Sequence, residues 1–419
     1  MMPGVADRPG KTRSRKRDEA LAAVSDLASP APGTPLRVPA WRVLRFFSSL
    51  RLTIVCLCAA MVLIFTGTLA QVHLGIHAVQ ARYFGSLLVY WTPPGTTWQI
   101  PCFPGGYLLG SILLVNLVTA HFVRFRLSWK KSGIILLHLG VILLLIGQLL
   151  TGLFAHETQM RIDEGQTLSY SEATGETELA VIDVTDPQYD QVVAIPEDRL
   201  ENGAIIQQPT LPFTVKVVQF MGNTRMRPRA QVPDAPPSPA TTGAGVDVVA
   251  TEIARSTRDD ERDLSSAFIE IDGVNGPLGT WFVSNALTQP QSFQVDGRTY
   301  ELVLRQRRDY KQFALTLLHF THDIYPGTDI PKNFASRVRL IDLERNENRE
   351  VQISMNNPLR YRGYTFYQAS YDNNDKTTIL QVVKNPAMLL PYIACGLVAA
   401  GLLTQFSMHL FAFIRRRPS

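Results

Sequence analysis

Residues 386–414 read PAMLLPYIACGLVAAGLLTQFSMHLFAFI and contain no Asp, Glu, Lys or Arg. A helix needs roughly 18 or more apolar residues to cross the hydrocarbon of a bilayer, so this run predicts a spanning helix. Three more charge-free runs stand earlier, at Leu52–Ala70, Gly106–Val123 and Gly133–Phe154. Between the third and the fourth lie residues 155–385, mostly polar and patterned as strands. That layout predicts a membrane protein with four transmembrane helices and a large extracytoplasmic antiparallel β domain of sandwich type. A mean hydropathy of +0.03 over 419 residues excludes both a pure membrane bundle and an ordinary soluble globule.

Lys and Arg set the orientation, because short basic flanks resist translocation. Lys11, Arg13, Arg15, Lys16, Arg17, Arg37, Arg42, Arg45 and Arg51 precede the first span, while Gln71–Gly105 carries only Arg82. Arg124, Arg126, Lys130 and Lys131 join spans two and three, and Arg415, Arg416 and Arg417 follow span four. Both termini are therefore expected in the cytoplasm and the β domain outside it. The expected organisation is a disordered basic tail at 1–45, helices at 46–71, 106–123, 133–154 and 386–414, an outer loop at 72–105, a cytoplasmic loop at 124–132, the β domain at 155–385 with a disordered insertion at 223–245, and a tail at 415–419. Thr68-Leu69-Ala70 offers a small-residue exit like that of a signal peptide, but the long basic leader and long apolar run fit a retained anchor better.

The formal charge of +5 belongs to these basic flanks, so membrane lipid and no nucleic-acid partner is expected. Cys56, Cys58 and Cys395 fall within spans, Cys102 is the one thiol expected outside, and no CxxC pair occurs. Strand patterning marks Phe213–Phe220, Ala267–Ile271, Tyr300–Arg305, Phe313–Leu317, Val338–Ile341 and Tyr364–Gln368, and Asp296-Gly297 has the composition of a two-residue hairpin turn.

His138 is the residue most in need of a reason, since an ionisable group within hydrocarbon is costly. It is the sixth residue from Gly133, roughly 9 Å into the span from the cytoplasmic side. Its imidazole suits haem iron, while a hydrogen bond to a neighbouring helix is an equally open reading. Gly133, Gly140 and Gly147 form a stripe where another backbone can approach, and His138 lies roughly 140–200° round from it. His138 is thus expected to face a second protein or a ligand held between two proteins. His409, six residues before Arg415, has a similar depth and is a second-ligand candidate. His121, near Arg124, reads as a hydrated interfacial residue, and His73, His77, His156, His319 and His322 match no compact zinc pattern. No GxSxG, GxxxxGK[ST] or dinucleotide fingerprint is present, so no catalytic residue is assigned.

Several strings carry a resemblance: Ser49-Leu-Arg-Leu-Thr-Ile54 with Gly67-Thr68 in span one, Leu137-His138-Leu-Gly140 in span three, Glu164-Gly165 just outside, then Tyr325-Pro-Gly, Pro331-Lys-Asn-Phe-Ala-Ser336, Asn357-Pro-Leu359, Tyr361, Gly363 and Phe366-Tyr-Gln-Ala-Ser-Tyr371. In this order on four spans the chain resembles the ResB family, the membrane subunit of the cytochrome c synthesis machinery called System II. The resemblance implies a bacterial cytoplasmic membrane, a ResC-type tryptophan-rich partner, haem b as transient ligand and apocytochrome c as acceptor. It also implies His138 as an axial haem ligand in a subunit that is not a catalyst alone. A membrane-anchored binding or sensing module without haem is the alternative, and a small transporter is disfavoured by the lack of an internal repeat.

Overall fold

The computed structural model describes residues 40–93, 96, 98–124, 128–256, 263–274, 276–327, 331–372 and 376–415. Of the tail expected at 1–45, residues 1–39 lie outside those described, as do residues 416–419. A short helix α1 (Ala40–Phe47) precedes α2 (Leu50–Leu74); a single turn α3 (Ile76–Val79) and a hairpin, β1 (Leu88–Trp91) with β2 (Ile100–Pro104), lead to α4 (Gly106–Arg124) and then α5 (Ser132–Phe154). The last helix is α6 (Leu390–Arg415). Of these, α2, α4, α5 and α6 are long and apolar enough to cross a membrane.

The first span departs from the helix expected at 46–71: the chain breaks at Ser48-Ser49, and the helix beyond runs on to Leu74. Asn116 of α4, buried at 4 % exposure, explains the break. Its amide donates to the Phe47 and Ser49 carbonyls, and its oxygen accepts from Thr53 Oγ1 at 2.7 Å. Carbonyls released at a helix end are costly in lipid unless a neighbouring helix supplies such a donor. The fourth helix starts at Leu390 rather than 386, because Asn385 Oδ1 accepts from the Ala387 amide and turns the chain first.

The glycine stripe does what its spacing predicts. Gly133, Gly140 and Gly147 are buried against α6. A Cβ at Gly140 would lie 2.9 Å from the Ala394 carbonyl, and one at Gly401 would lie 2.7 Å from the Leu137 amide nitrogen, so the two helices meet backbone to backbone.

The β domain begins with β3 (His156–Asp163), β4 (Thr167–Asp183), β5 (Gln191–Pro196), β6 (Ile205–Ile206), β7 (Phe213–Met221), β8 (Thr224–Pro228) and β9 (Val248–Glu252). It continues through β10 (Ser266–Gly273), β11 (Gly276–Ser284), β12 (Gln291–Val295), β13 (Arg298–Ile324), β14 (Pro331–Asp342), β15 (Glu347–Ser354), β16 (Leu359–Tyr361), β17 (Tyr364–Tyr371) and β18 (Thr377–Lys384). The main sheet has the order β15-β14-β13-β4-β3-β18-β17-β16, with β12 on β13 and β5 on β4; a second sheet is β11-β10-β7-β6. All named pairings are antiparallel. One core, with Leu179, Val181, Val217, Ile269, Tyr300 and Leu302, lies between the sheets. A second, with Met160, Ile162, Leu315, Leu340, Phe366 and Val382, fills the curled half of the main sheet.

Asp296 and Gly297 both take positive φ, 50° and 76°, and join β12 to β13 as a two-residue turn. Tyr300–Arg305 and Phe313–Leu317, expected as separate strands, are one strand. The charged residues between them do not end it because each cation has an acid at hand: Arg307 meets Glu176 at 2.5 Å, Arg308 meets Glu172 at 3.1 Å and Lys311 meets Asp309 at 3.1 Å. The insertion expected to be disordered at 223–245 is instead built onto the second sheet. Thr224–Pro228 pairs with β9, Arg229 donates to the Pro236 and Val246 carbonyls, and Ala240 packs on Phe268 and Phe282. Proline-rich composition hid an ordered segment whose carbonyls are gathered by one guanidinium.

Candidate functional site

A cavity lies among the spanning helices. It has a volume of about 530 Å³. Ser48, Leu50, Thr53 and Leu57 form one wall, Leu113, Asn116, Leu117 and Ala120 of α4 a second, and His138, Val141 and Leu145 of α5 the third. The lining is chiefly aliphatic, with polar atoms only from Ser48, Thr53, Asn116 and His138, the usual make-up of a small-molecule pocket, which spans roughly 300–1,000 Å³.

His138 is half-buried and points into this space. The expectation that it faces away from the glycine stripe holds, since α6 covers that stripe and contributes no residue to the lining. Its expected outlook onto a second protein is corrected in part, because α2 and α4 of the same chain enclose the space in front of it. The reason is the short connection at 124–132, which makes α4 an antiparallel neighbour of α5.

That pairing also changes the role of His121. Expected as a hydrated residue, it stands edge-on to His138, ring centroids 5.0 Å apart and planes at 87°. Its Nδ1–H donates to the Leu117 carbonyl at 3.1 Å, which turns the ring toward α5. His409 is not brought to the cavity: it accepts from Gln405 Nε2 at 2.7 Å, and Gln405 covers Gly133 on the opposite side of α5. His121, Asn116 and Thr53 are the site residues that sequence reasoning missed. The available signal was depth, because His121 lies three residues before Arg124 and His138 six after Ser132.

The histidines of the β domain serve other ends. His156 Nε2 accepts from Arg307 at 2.8 Å, His319 Nδ1 lies 2.9 Å from Glu164, and the His322 ring lies against Tyr371, centroids 4.2 Å apart and planes tilted by 44°. His73 is exposed. Cys102 is exposed, its thiol 3.3 Å from the Val89 carbonyl. Among the described residues no cluster of three or more His, Cys, Asp or Glu could hold a metal ion.

The strings singled out late in the sequence build turns of the curled sheet. Glu164 accepts from the Phe320 amide at 2.7 Å, and Gly165 has φ 84°. Tyr361 Oη lies 2.7 Å from both Asp342 and Glu347, and Arg362, at φ 46°, bridges Asp342 and Glu344 before Gly363 at φ 81°. Desolvation and the two carboxylates push the Tyr361 hydroxyl up to about 12. At Asp342 desolvation raises the pKa, but bonds from Tyr361, the Arg345 amide and Arg362 outweigh it and hold the carboxyl below its ordinary 3.8. A depressed carboxyl contributes stability that is present above 3.8 and lost as pH falls through the folded value. Thermal unfolding followed from pH 7 to pH 3 is expected to show a smaller acid loss in Asp342→Asn than in the parent; equal losses would remove Asp342 from the account.

The ResB-like family model matches residues 279–385, which run from β11 to just past β18. The chain is 34% identical over 115 residues to Protein NrfI of Wolinella succinogenes. That match covers 27% of this chain and 13% of NrfI, so the chain spans a small part of its relative's length. The matched family segment builds the curled half of the β domain and excludes the intramembrane cavity. That segment, which carries Pro331–Ser336, Tyr361-Arg362-Gly363 and Phe366–Tyr371 in one sheet, is where the chain is similar to the ResB-like family.

Proposed function

We propose that this chain serves cytochrome c biogenesis as a haem-delivery and scaffold subunit, taking haem b into the cavity before His138 and presenting it, with a ResC-type tryptophan-rich partner, to apocytochrome c on the outer face. The match of residues 279–385 to the ResB-like family model supports the pathway. The observation that carries the finer reading is the chiefly aliphatic cavity of about 530 Å³ with an imidazole in its wall, set among helices fit for a membrane. An imidazole is a common axial ligand of haem iron, and a largely apolar macrocycle is at home between apolar helices. His138 would hold the iron in this reading, and His121, edge-on to it, is the neighbouring imidazole able to fix its orientation. Basic flanks support a topology with both termini in the cytoplasm of a bacterial cell and the β domain outside it. The full chain, purified with its partner from cells supplied with haem precursor, is expected to show a Soret band and a haem b pyridine spectrum. A colourless, folded complex would contradict the reading.

A further inference from the structure

Between Arg82 and Arg124 the chain contains no Asp, Glu, Lys or Arg, although the middle of that stretch is a connection and not a span. Its β1–β2 hairpin, with Leu88 opposite Pro104 and Trp91 opposite Ile100, packs by its inner face on the middle of α2 and the first turn of α4. Val89 is buried with Leu63 of α2 and Leu109 of α4, and Phe103 packs beside them. Leu109 lies three residues inside α4, about 4.5 Å along its axis from Gly106, so the hairpin packs near the Gly106 end of that span. The other side of the hairpin and its loop exposes Tyr90 by 52 %, Trp91 by 55 %, Trp98 by 75 % and Ile100 by 43 %. A water-facing loop rarely shows so much contiguous apolar surface without a charge. Tyr and Trp carry an apolar ring and a polar atom, a combination suited to headgroup depth. On α2, Phe65 and Leu69 are likewise exposed, apolar surface that a bilayer would cover.

We propose that this hairpin is an interfacial anchor, its Tyr90, Trp91, Trp98 and Ile100 seated among lipid headgroups and the adjoining acyl carbons on the side of the membrane from which the β domain emerges. The shared side follows from α4 and α5 crossing in succession between hairpin and domain. Because its base grips α2 and α4, the anchor fixes two walls of the cavity relative to the bilayer surface.

The test uses the full chain in phosphatidylcholine vesicles. In a variant whose other tryptophans, Trp41, Trp91, Trp129 and Trp281, are Phe, bromine near the headgroup end of the acyl chains is expected to lower Trp98 emission roughly twofold, more than bromine near the chain ends, with little quenching by iodide. In the chain with native tryptophans, Cys102 is expected to resist a sulfonated maleimide that labels an Asp186→Cys control on the β domain. Strong iodide quenching, or labelling of Cys102 as fast as the control, would overturn the proposal. Protection of Trp98 from both bromine and iodide would also overturn it and assign this surface to a protein partner.

Discussion

Replacing His138 with alanine is expected to cost haem occupancy at least the roughly 10–100-fold that loss of a mere supporting group costs at a metal site. The ring lies in the wall of the one cavity described among the spanning helices, on the face of α5 away from the α6 contact. Loss of the imidazole therefore removes the ligand while leaving the backbone-to-backbone contact of Gly140 and Gly401 intact, and the protein is expected to elute from size exclusion with its partner as the parent does. His409→Ala is expected to keep its haem, because His409 bonds Gln405 on the far side of α5. Haem loss in His409→Ala equal to that in His138→Ala would show that the cavity is not the site.

Glu178→Ala is the largest stability effect expected in the β domain. Glu178 and Arg305 form an ion pair at 2.8 Å with side chains 5 % and 9 % exposed, and they face each other across β4 and β13 beside the bulge at Gln306. Removing the carboxylate leaves a guanidinium buried without its acid, which costs about 3–5 kcal/mol. The pair stands where the two long strands pass from one core to the other, so the loss reaches both cores. Denaturant unfolding should show the midpoint fall sharply in Glu178→Ala and recover in the double variant Glu178→Leu with Arg305→Met, whose apolar side chains need no partner. A loss of unfolding free energy below about 1 kcal/mol in Glu178→Ala would place the pair among solvated surface bridges.

Much of this architecture is legible in the residues themselves. Four uncharged runs mark the spanning helices, a seven-residue glycine spacing marks the α5–α6 contact, and Asp296-Gly297 marks a hairpin, because each is a local rule with a short-range cause. What escaped depends on partners distant in sequence. The charges of β13 read as a strand end until Glu172 and Glu176 are set opposite them, the prolines after Pro228 read as disorder until Arg229 ties the Pro236 and Val246 carbonyls together, and the break at Ser48 needs Asn116. His121 is the sharpest case. Its place against His138 follows only once α4 and α5 are known to pack side by side.

The iron's own ligand field tests the assignment of His138 most directly. In a His138→Gly chain with its partner, haem binding and the low-spin electron paramagnetic resonance signal are expected to vanish and to return when free imidazole fills the space the side chain left. A signal that persists unchanged in His138→Gly without added imidazole would show that the iron is held elsewhere.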